Sequence, residues 1–166
     1  MDEVWERYRR NTKGWRRDEL ARVHPRIMVG PAFMCYHSIF EKHGITHVIN
    51  CASDDMGALW FKKEFPNRYA CIDAVDGLNE NIVMWYPKFE KTMTLFLSDP
   101  DCKSVYVHCE CGINRSAFLT LIYVCVKMGF NLEMAIKNMT IQRPCMFSNL
   151  QFRKQVVAYI KNPVKE

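Results

Sequence analysis

Three observations predict an α/β fold in which helices cover a sheet. Short apolar runs alternate along the chain with longer segments whose apolar residues recur at helical spacing. The 166 residues are 49% hydrophobic, which is enough for one globular core. The sequence shows no linker, repeat or low-complexity segment, so we expect one domain, residues 22–161, between an N-terminal extension, residues 1–21, and a short tail, residues 162–166.

The predicted strands are short and apolar, and the run SVYVHC is also β-branched, as expected of a buried strand. The first two are expected on either side of Pro25, and the second ends at Gly30. Strands are predicted at Arg22–His24 and Arg26–Val29, and at residues 46–51, 69–74 and 104–109.

Helical periodicity and end signals mark the remaining segments. Gly44 should end one helix, and Pro87 should start or kink another. Asn131 can cap a helix that has Glu133 in its first turn. Helices are predicted at residues 2–20, 32–44, 79–99, 116–129, 131–143 and 148–162.

The N-terminus and the cysteines predict an intracellular protein, cytoplasmic or nuclear. Residues 1–15 are charged and aromatic and lack the apolar core of a signal peptide. No apolar run approaches 18 residues, so no transmembrane helix is expected. Without a secretion signal, we expect most of the eight cysteines to be reduced thiols.

Positive charge is concentrated near the N-terminus. Residues 1–26 hold eight Lys or Arg against five Asp or Glu, so 8 − 5 = 3 of the net charge of +5 lies there. This excess favours an anionic partner, whereas the alternative is an ordinary solvated helix face.

The stretch HCECGINRS lies between a predicted buried strand and a predicted buried helix, where the amides of a helix N-terminus bind anions. Arg115 follows Cys109 by 115 − 109 = 6 positions, so the loop between them can curl into a cradle of N–H groups. The cradle and Arg115 would stabilise a thiolate, which is the nucleophilic form of cysteine. They would also bind a tetrahedral dianion. This pattern indicates phosphoryl transfer.

HCECGINRS resembles the His-Cys-x5-Arg-Ser/Thr motif of cysteine-based protein tyrosine phosphatases. GITHVIN and RPCMFSNLQFRKQVVAY, with Arg143, Pro144, Asn149 and Phe152, resemble the dual-specificity branch. The resemblance covers about residues 22–161 and implies a mixed sheet of about five strands flanked by helices.

The resemblance also implies roles for the loop residues. Cys109 would be the nucleophile, Arg115 the phosphate clamp, and Ser116 the hydroxyl that eases loss of the thiolate. His108 would order the loop by hydrogen bonding, and Asn149 would support the site. Ala117 stands where a Gly is common, and Glu110 is an acid on the rim of the loop. The residues implied to bind phosphate are Glu110, Cys111, Gly112, Ile113, Asn114 and Arg115.

A general acid is needed to protonate the leaving oxygen, and CIDAVDG offers Asp73 and Asp76. In the family that the chain resembles, the acid lies a little over thirty residues before the nucleophile. Asp76 fits, because 109 − 76 = 33. Asp73 is expected to end the preceding strand, and the alternative for both is an ordinary turn aspartate.

Three roles are open for the second thiol of the loop, Cys111. Zinc binding is disfavoured, because the spacing of Cys102, His108, Cys109 and Cys111 lacks the paired short loops of structural zinc sites. Cys111 is otherwise a loop filler or a thiol that traps oxidised Cys109 as a disulfide. For that redox role Cys51 is the first candidate, since it resembles the backup-cysteine region of some family members, and Cys71 is another.

The resemblance implies a phosphatase that hydrolyses phosphotyrosine and phosphoserine or phosphothreonine in proteins, without a metal or cofactor. The alternative is an RNA 5′-triphosphatase, which GINR resembles and the basic N-terminus suits. We do not favour nucleic acid, because the sequence does not locate stacking aromatics on a basic face. A phosphoinositide phosphatase is disfavoured by Glu110, and a catalytically dead phosphate-binding module by the intact motif.

Residues 2–20 also raise the question of assembly. The segment carries Trp5, Tyr8 and Trp15 and resembles the leading helix of poxvirus-type dual-specificity phosphatases, which some members exchange between two subunits. We expect either a homodimer through this helix or packing of the helix on its own domain.

Overall fold

A computed structural model describes Trp5 and residues 19–165, and its centre is a five-stranded mixed sheet. The strand order is β1-β2-β5-β3-β4, and only the β1–β2 pair is antiparallel. The strands are β1 Ala21–His24, β2 Ile27–Gly30, β3 Ile45–Asn50, β4 Tyr69–Cys71 and β5 Ser104–His108. The mixed α/β fold expected from the sequence is confirmed.

Helices cover both faces of this sheet. The α-helices of the described residues are α1 His37–His43, α2 Leu59–Glu64, α3 Tyr86–Ser98, α4 Arg115–Val126, α5 Leu132–Gln142 and α6 Leu150–Lys161. Short 3-10 turns lie at residues 32–34, 54–56, 66–68 and 82–85.

Strand β5 is buried along its whole length and separates two apolar cores. Side chains alternate across a strand. Val105 and Val107 therefore pack in the larger core, on the side of helices α3 to α6, and Tyr106 packs in the smaller core with α1 and α2. This central position gives whatever follows β5 a rigid base.

The structure departs from the sequence prediction in several places. Residues 32–44 form a 3-10 turn and then α1, because Tyr36 is extended between them. Helix α2 lies in a stretch for which the sequence pattern predicts no element. Strand β4 ends at Cys71, so Asp73 does not end it; Asp73 has a φ of 58° and has left the extended conformation.

Trp5 is the one residue of the predicted N-terminal helix before residue 19 that the structure describes, and it is helical. It is buried against its own chain, with its ring centroid 5.4 Å from that of Phe147 and 5.9 Å from that of Phe118. This contact of Trp5 agrees with the alternative in which the N-terminal helix packs on its own domain. Tyr8 and Trp15 lie outside the described residues, so the homodimer and the domain boundaries stay predictions.

None of the helices within residues 19–165 is both long enough and apolar enough to cross a membrane.

Candidate active site

The HCECGINRS stretch forms a loop at the carboxyl end of the central strand. Residues 109–114, called the phosphate loop below, connect β5 to α4. Strands β2 and β3 run parallel to β5 on either side, so all three end at this edge of the sheet. Ligands bind in open α/β sheets at this kind of edge.

The carbonyl oxygens of four loop residues accept hydrogen bonds from groups around the loop. The pairs are Cys109 O with His108 Nδ1 at 2.8 Å, Glu110 O with Ala32 N at 3.0 Å, Cys111 O with Arg143 Nη2 at 2.9 Å, and Ile113 O with Phe147 N at 2.8 Å. A trans peptide places its N–H opposite its carbonyl. We therefore infer that the amides following these carbonyls point into the loop, where they can donate to an anion.

Gly112 allows the loop to turn against β2. Its φ is +66°, and a Cβ atom there would lie 2.4 Å from the carbonyl carbon of Gly30 and 2.7 Å from the nitrogen of Pro31. A side chain at this position is excluded both by backbone conformation and by space. The requirement for glycine at position 112 is thus explained by a close approach of two backbones.

Cys109 lies at the floor of the phosphate loop and is 3% exposed. Its Sγ is 3.2 Å from the hydroxyl oxygen of Ser116, which is fully buried in the first turn of α4. A hydroxyl at this distance can donate a hydrogen bond to a thiolate. Cys109 and Ser116 therefore have the geometry of a nucleophile and a group that stabilises it as a leaving group.

Arg115 is held beside the loop by one of its guanidinium nitrogens. Its Nη1 donates to the carbonyl oxygen of Ala74 at 3.2 Å. Its Nε is buried and has no hydrogen-bond partner among the described residues. Because buried donors are nearly always paired, this N–H fits an anion that would lie over Cys109.

His108 is fully buried, and burial lowers its pKa to about 4 from the ordinary value of 6.5, although the contact with Cys109 opposes that shift. Its ring is therefore neutral near pH 7. The carbonyl oxygen of Cys109 can only accept, so Nδ1 carries the proton and donates to it. His108 thus fixes the first peptide of the phosphate loop.

Asp76 is exposed and is held by two amide side chains. Its Oδ2 accepts from Asn114 Nδ2, and its Oδ1 accepts from Asn149 Nδ2, both at 2.9 Å. Asn149 also donates to the carbonyl oxygen of Gly77 at 3.1 Å and caps α6 through its Oδ1. Asp76 is therefore tied to the phosphate loop through Asn114, whereas the exposed carboxylate of Asp73 forms no hydrogen bond to that loop among the described residues.

The cysteines of the site differ in exposure. Cys51 is completely buried, and burial first and Cys109 second raise the pKa of its thiol well above the ordinary value. Its amide donates to the carbonyl oxygen of His108 at 2.7 Å, so Cys51 lies beside the start of the phosphate loop. Cys111 is exposed, and the thiol of Cys71 donates to the carbonyl oxygen of Ala52 at 3.2 Å. Among the described residues, no group of three His, Cys, Asp or Glu side chains could hold a metal ion.

Two residues that support the site are missed by sequence reasoning. The Ser148 hydroxyl lies 3.1 Å from Asn114 Nδ2 and 3.2 Å from Asn114 Oδ1. Phe147, whose amide binds the carbonyl oxygen of Ile113, has a φ of 72° that side chains rarely adopt. The run CMFSN gives no signal for either role, because both contacts are formed across more than thirty residues of chain.

A buried thiol under a loop of amides, at the end of a central strand and before a buried helix, defines the cysteine-phosphatase fold. Residues 30–162 match the family model described as dual specificity phosphatase, catalytic domain. The chain belongs to this family.

Known relatives agree with this membership. The mouse serine/threonine/tyrosine-interacting protein is 30% identical over 148 residues, which cover 86% of this chain and 65% of the relative. Human dual specificity protein phosphatase 4 is 28% identical over 139 residues, covering 82% of this chain and 34% of that protein. The chain thus spans less than two thirds of the length of the first relative and about one third of the second.

The fold also matches a solved structure closely. The crystal structure of human tyrosine phosphatase-like serine/threonine/tyrosine-interacting protein superposes with a TM-score of 0.71 at 27% identity. The match covers 86% of this chain and 95% of that one.

Proposed function

We propose that the chain is an active phosphatase that hydrolyses phosphotyrosine and phosphoserine or phosphothreonine in proteins through a cysteinyl-phosphate. Membership of the dual specificity phosphatase family supports protein phosphatase activity as a class. The catalytic step is inferred from this chain's own residues, which supply a nucleophile, an anion clamp and an acid without a metal or cofactor.

In the first step of the proposed mechanism, the phosphate group lies in the phosphate loop. The Cys109 thiolate attacks phosphorus while Arg115 and the loop amides bind the equatorial oxygens. The bond to the leaving oxygen breaks, and Asp76 gives that oxygen its proton. The products are the dephosphorylated side chain and a phosphate bound to Cys109.

In the second step, water attacks the cysteinyl-phosphate. Asp76, now a carboxylate, accepts a proton from this water. The sulfur–phosphorus bond breaks, and the Ser116 hydroxyl stabilises the departing thiolate by a hydrogen bond over the 3.2 Å that separates the two atoms. Inorganic phosphate is released and the enzyme is restored.

The observation that carries this proposal is the pairing of Cys109 with Ser116 across the loop that leads to Arg115, whose buried Nε has no hydrogen-bond partner among the described residues. Buried thiols in apolar cores need no hydroxyl within hydrogen-bond distance and no guanidinium beside them. The arrangement is what a thiolate needs in order to attack a phosphate and then leave from it.

The test is the substitution Cys109→Ser, with Cys111→Ser as the matched control on the same loop. We expect Cys109→Ser to abolish turnover of a phosphotyrosine and a phosphothreonine peptide, and to retain phosphopeptide binding, because the amides and Arg115 bind the phosphate. Cys111→Ser should retain turnover, and EDTA should not change it. Comparable hydrolysis by Cys109→Ser and the parent would reject Cys109 as the nucleophile.

A second candidate function is binding of phosphoproteins without hydrolysis. It is favoured by the names of the relatives, which describe an interacting protein and a phosphatase-like structure. The two functions differ in one result: a binding module would bind both phosphopeptides and release no phosphate from either.

A further inference from the structure

A groove lies on the surface near the active site. Its volume is about 620 Å³, and its walls carry two aromatic side chains that are unusually exposed, Phe33 at 50% and Tyr36 at 58%. Basic residues from β1 and from the end of α1 complete the walls, so we call it the basic–aromatic groove. Its defining residues are Arg22, Phe33, Tyr36, Lys42 and His43.

The groove is positively charged. Arg22 and Lys42 are exposed. The pKa of His43 is lowered by burial first, and then by Lys42 and Arg22, so the three basic groups lie close enough to affect one another. No Asp or Glu is among the described residues that line the groove, and the neighbouring carboxylate on α1, Glu41, lines a different cavity.

The segment that contains Ala32 and Phe33 lies between this groove and the active site. Phe33 also lines a cavity of about 600 Å³ beside the phosphate loop, together with Glu110 and Ile113. The amide of Ala32 donates to the carbonyl oxygen of Glu110 at 3.0 Å, which ties this segment to the loop. Phe33 therefore lines both cavities, and a ligand that extended from the phosphate loop past Phe33 would reach the basic–aromatic groove.

The charges in the cavity beside the phosphate loop favour an acidic peptide over a nucleic acid as the ligand of the groove. Exposed carboxylates of Asp55 and Glu110 line this cavity, and the one basic side chain among the described lining residues, Arg143, is buried and donates to the carbonyl oxygen of Cys111. A nucleic acid strand carries a negative charge at every phosphate, so these carboxylates would repel it along the path. A peptide can place neutral or basic residues there and acidic residues further on.

We propose that the basic–aromatic groove binds an acidic segment of a phosphoprotein substrate while the phosphorylated residue lies in the phosphate loop. This inference rests on the proposed phosphatase function and adds a class of substrate to it. Carboxylates of the segment would pair with Arg22 and Lys42, and apolar side chains would pack on Phe33 and Tyr36.

The test is the double charge reversal Arg22→Glu/Lys42→Glu. Its matched control is Lys91→Glu/Lys154→Glu, which changes net charge equally at two exposed lysines on α3 and α6. The substrates are a phosphopeptide with a run of Asp and Glu, the same peptide with Asn and Gln instead, and a small aryl phosphate.

We expect the groove variant to raise KM for the acidic peptide about tenfold, because two attractive pairs become repulsive. Its kcat, and its activity on the other two substrates, should equal those of the parent, and added salt should reduce the difference. The separate variant Tyr36→Ala should raise KM for a peptide whose acidic segment includes an apolar residue.

Three outcomes would overturn the proposal. KM could rise equally for both peptides, or not at all, or the groove variant could instead weaken binding of a 5′-triphosphorylated RNA and leave the acidic peptide unaffected. Binding of the acidic peptide to Cys109→Ser, with and without the groove substitutions, tests the groove without turnover. The groove substitutions could weaken binding of the acidic peptide to Cys109→Ser while the parent hydrolyses no substrate. That result would reject the catalytic function but support the groove as a peptide-binding site.

Discussion

The phosphate loop and the loop that carries Asp76 face the same site but are held in different ways. Four carbonyls of the phosphate loop accept hydrogen bonds, and Cys109 at its floor is buried. Asp76 is exposed and is held through its own carboxylate by the side chains of Asn114 and Asn149. We infer that hydrogen bonds to the backbone carbonyls of the loop fix the anion site, whereas the acid is positioned by amide side chains that bind its carboxylate.

The largest effect that separates these regions is expected from Asp76→Ala. An alkyl oxygen leaving from phosphothreonine needs a proton, so kcat/KM on a phosphothreonine peptide should fall on the order of 10²-fold. An activated aryl phosphate, whose leaving group needs little protonation, should be affected far less.

Asp73→Ala is the matched control for this prediction, because Asp73 is exposed on the same loop. We expect neither the large loss nor the dependence on the leaving group. If that dependence follows Asp73 and not Asp76, the assignment of the acid is wrong.

The next effect concerns stability at low pH, through His108 at the base of the phosphate loop. Its pKa of about 4 lies below the ordinary 6.5, so between these values the unfolded chain binds a proton that the folded chain does not. The free energy of unfolding should therefore fall as pH is lowered through this window, by on the order of 3 kcal/mol, and level off below about pH 4.

Denaturant unfolding at several pH values compares the parent with His108→Asn, which cannot titrate. Burial also lowers the pKa values of His24, His43 and His47, but these groups titrate in both proteins and cancel in the difference. An equal loss of stability in the two proteins would show that His108 is not neutral in the fold.

A smaller effect is expected from Gly112→Ala, which tests the backbone contact of the phosphate loop with β2. The new Cβ would lie 2.4 Å from the carbonyl carbon of Gly30, in addition to the strain of a positive φ. Gly129→Ala is the matched control, since Gly129 has a φ of +73° and no described atom lies within 4 Å of its Cβ position.

The control should cost about 1 kcal/mol of unfolding free energy, which is the backbone penalty alone. Gly112→Ala should cost about 2 kcal/mol more, together with a loss of turnover. Equal costs in urea unfolding, with turnover retained, would show that the loop tolerates the shift.

The smallest effect is expected from Cys51→Ser, which should leave turnover in reducing buffer unchanged. After peroxide treatment, the parent should recover activity with added thiol, and Cys51→Ser should not, because we predict that Cys51, beside the phosphate loop, captures oxidised Cys109 as a disulfide. Mass spectrometry of the oxidised parent should show a peptide linking Cys109 to Cys51. A link to Cys111 or Cys71 would identify another partner.

The same contrast explains what the sequence could predict. The motif around Cys109 is local, so its residues and the flanking strand and helix can be located from spacing and apolar pattern. Helix α2 could not, because LWFKKE is too short to show a period. The contacts of Asp76 could not either, because Asn149 is 73 positions away and Asn114 is 38 positions away.

The basic–aromatic groove is a further case. The sequence shows excess basic charge near the N-terminus but does not indicate which aromatic residues lie beside Arg22. The fold brings Arg22 of β1 next to Phe33 and Tyr36, which precede α1, and to Lys42 near the end of that helix. Pattern along the chain carries no information on this kind of surface, because it is assembled from separate elements.

The central claim is that Cys109 carries the phosphoryl group during turnover, and rapid acid quenching tests it most directly. The enzyme is mixed with a phosphotyrosine peptide and quenched within one turnover. It is then digested, and its proteolytic peptides are analysed by mass spectrometry. We predict one added phosphoryl group on the peptide that contains Cys109, absent from Cys109→Ser and more abundant when Asp76→Ala slows its hydrolysis. Release of phosphate at the same rate with no phosphorylated Cys109 peptide at any quench time would contradict the account.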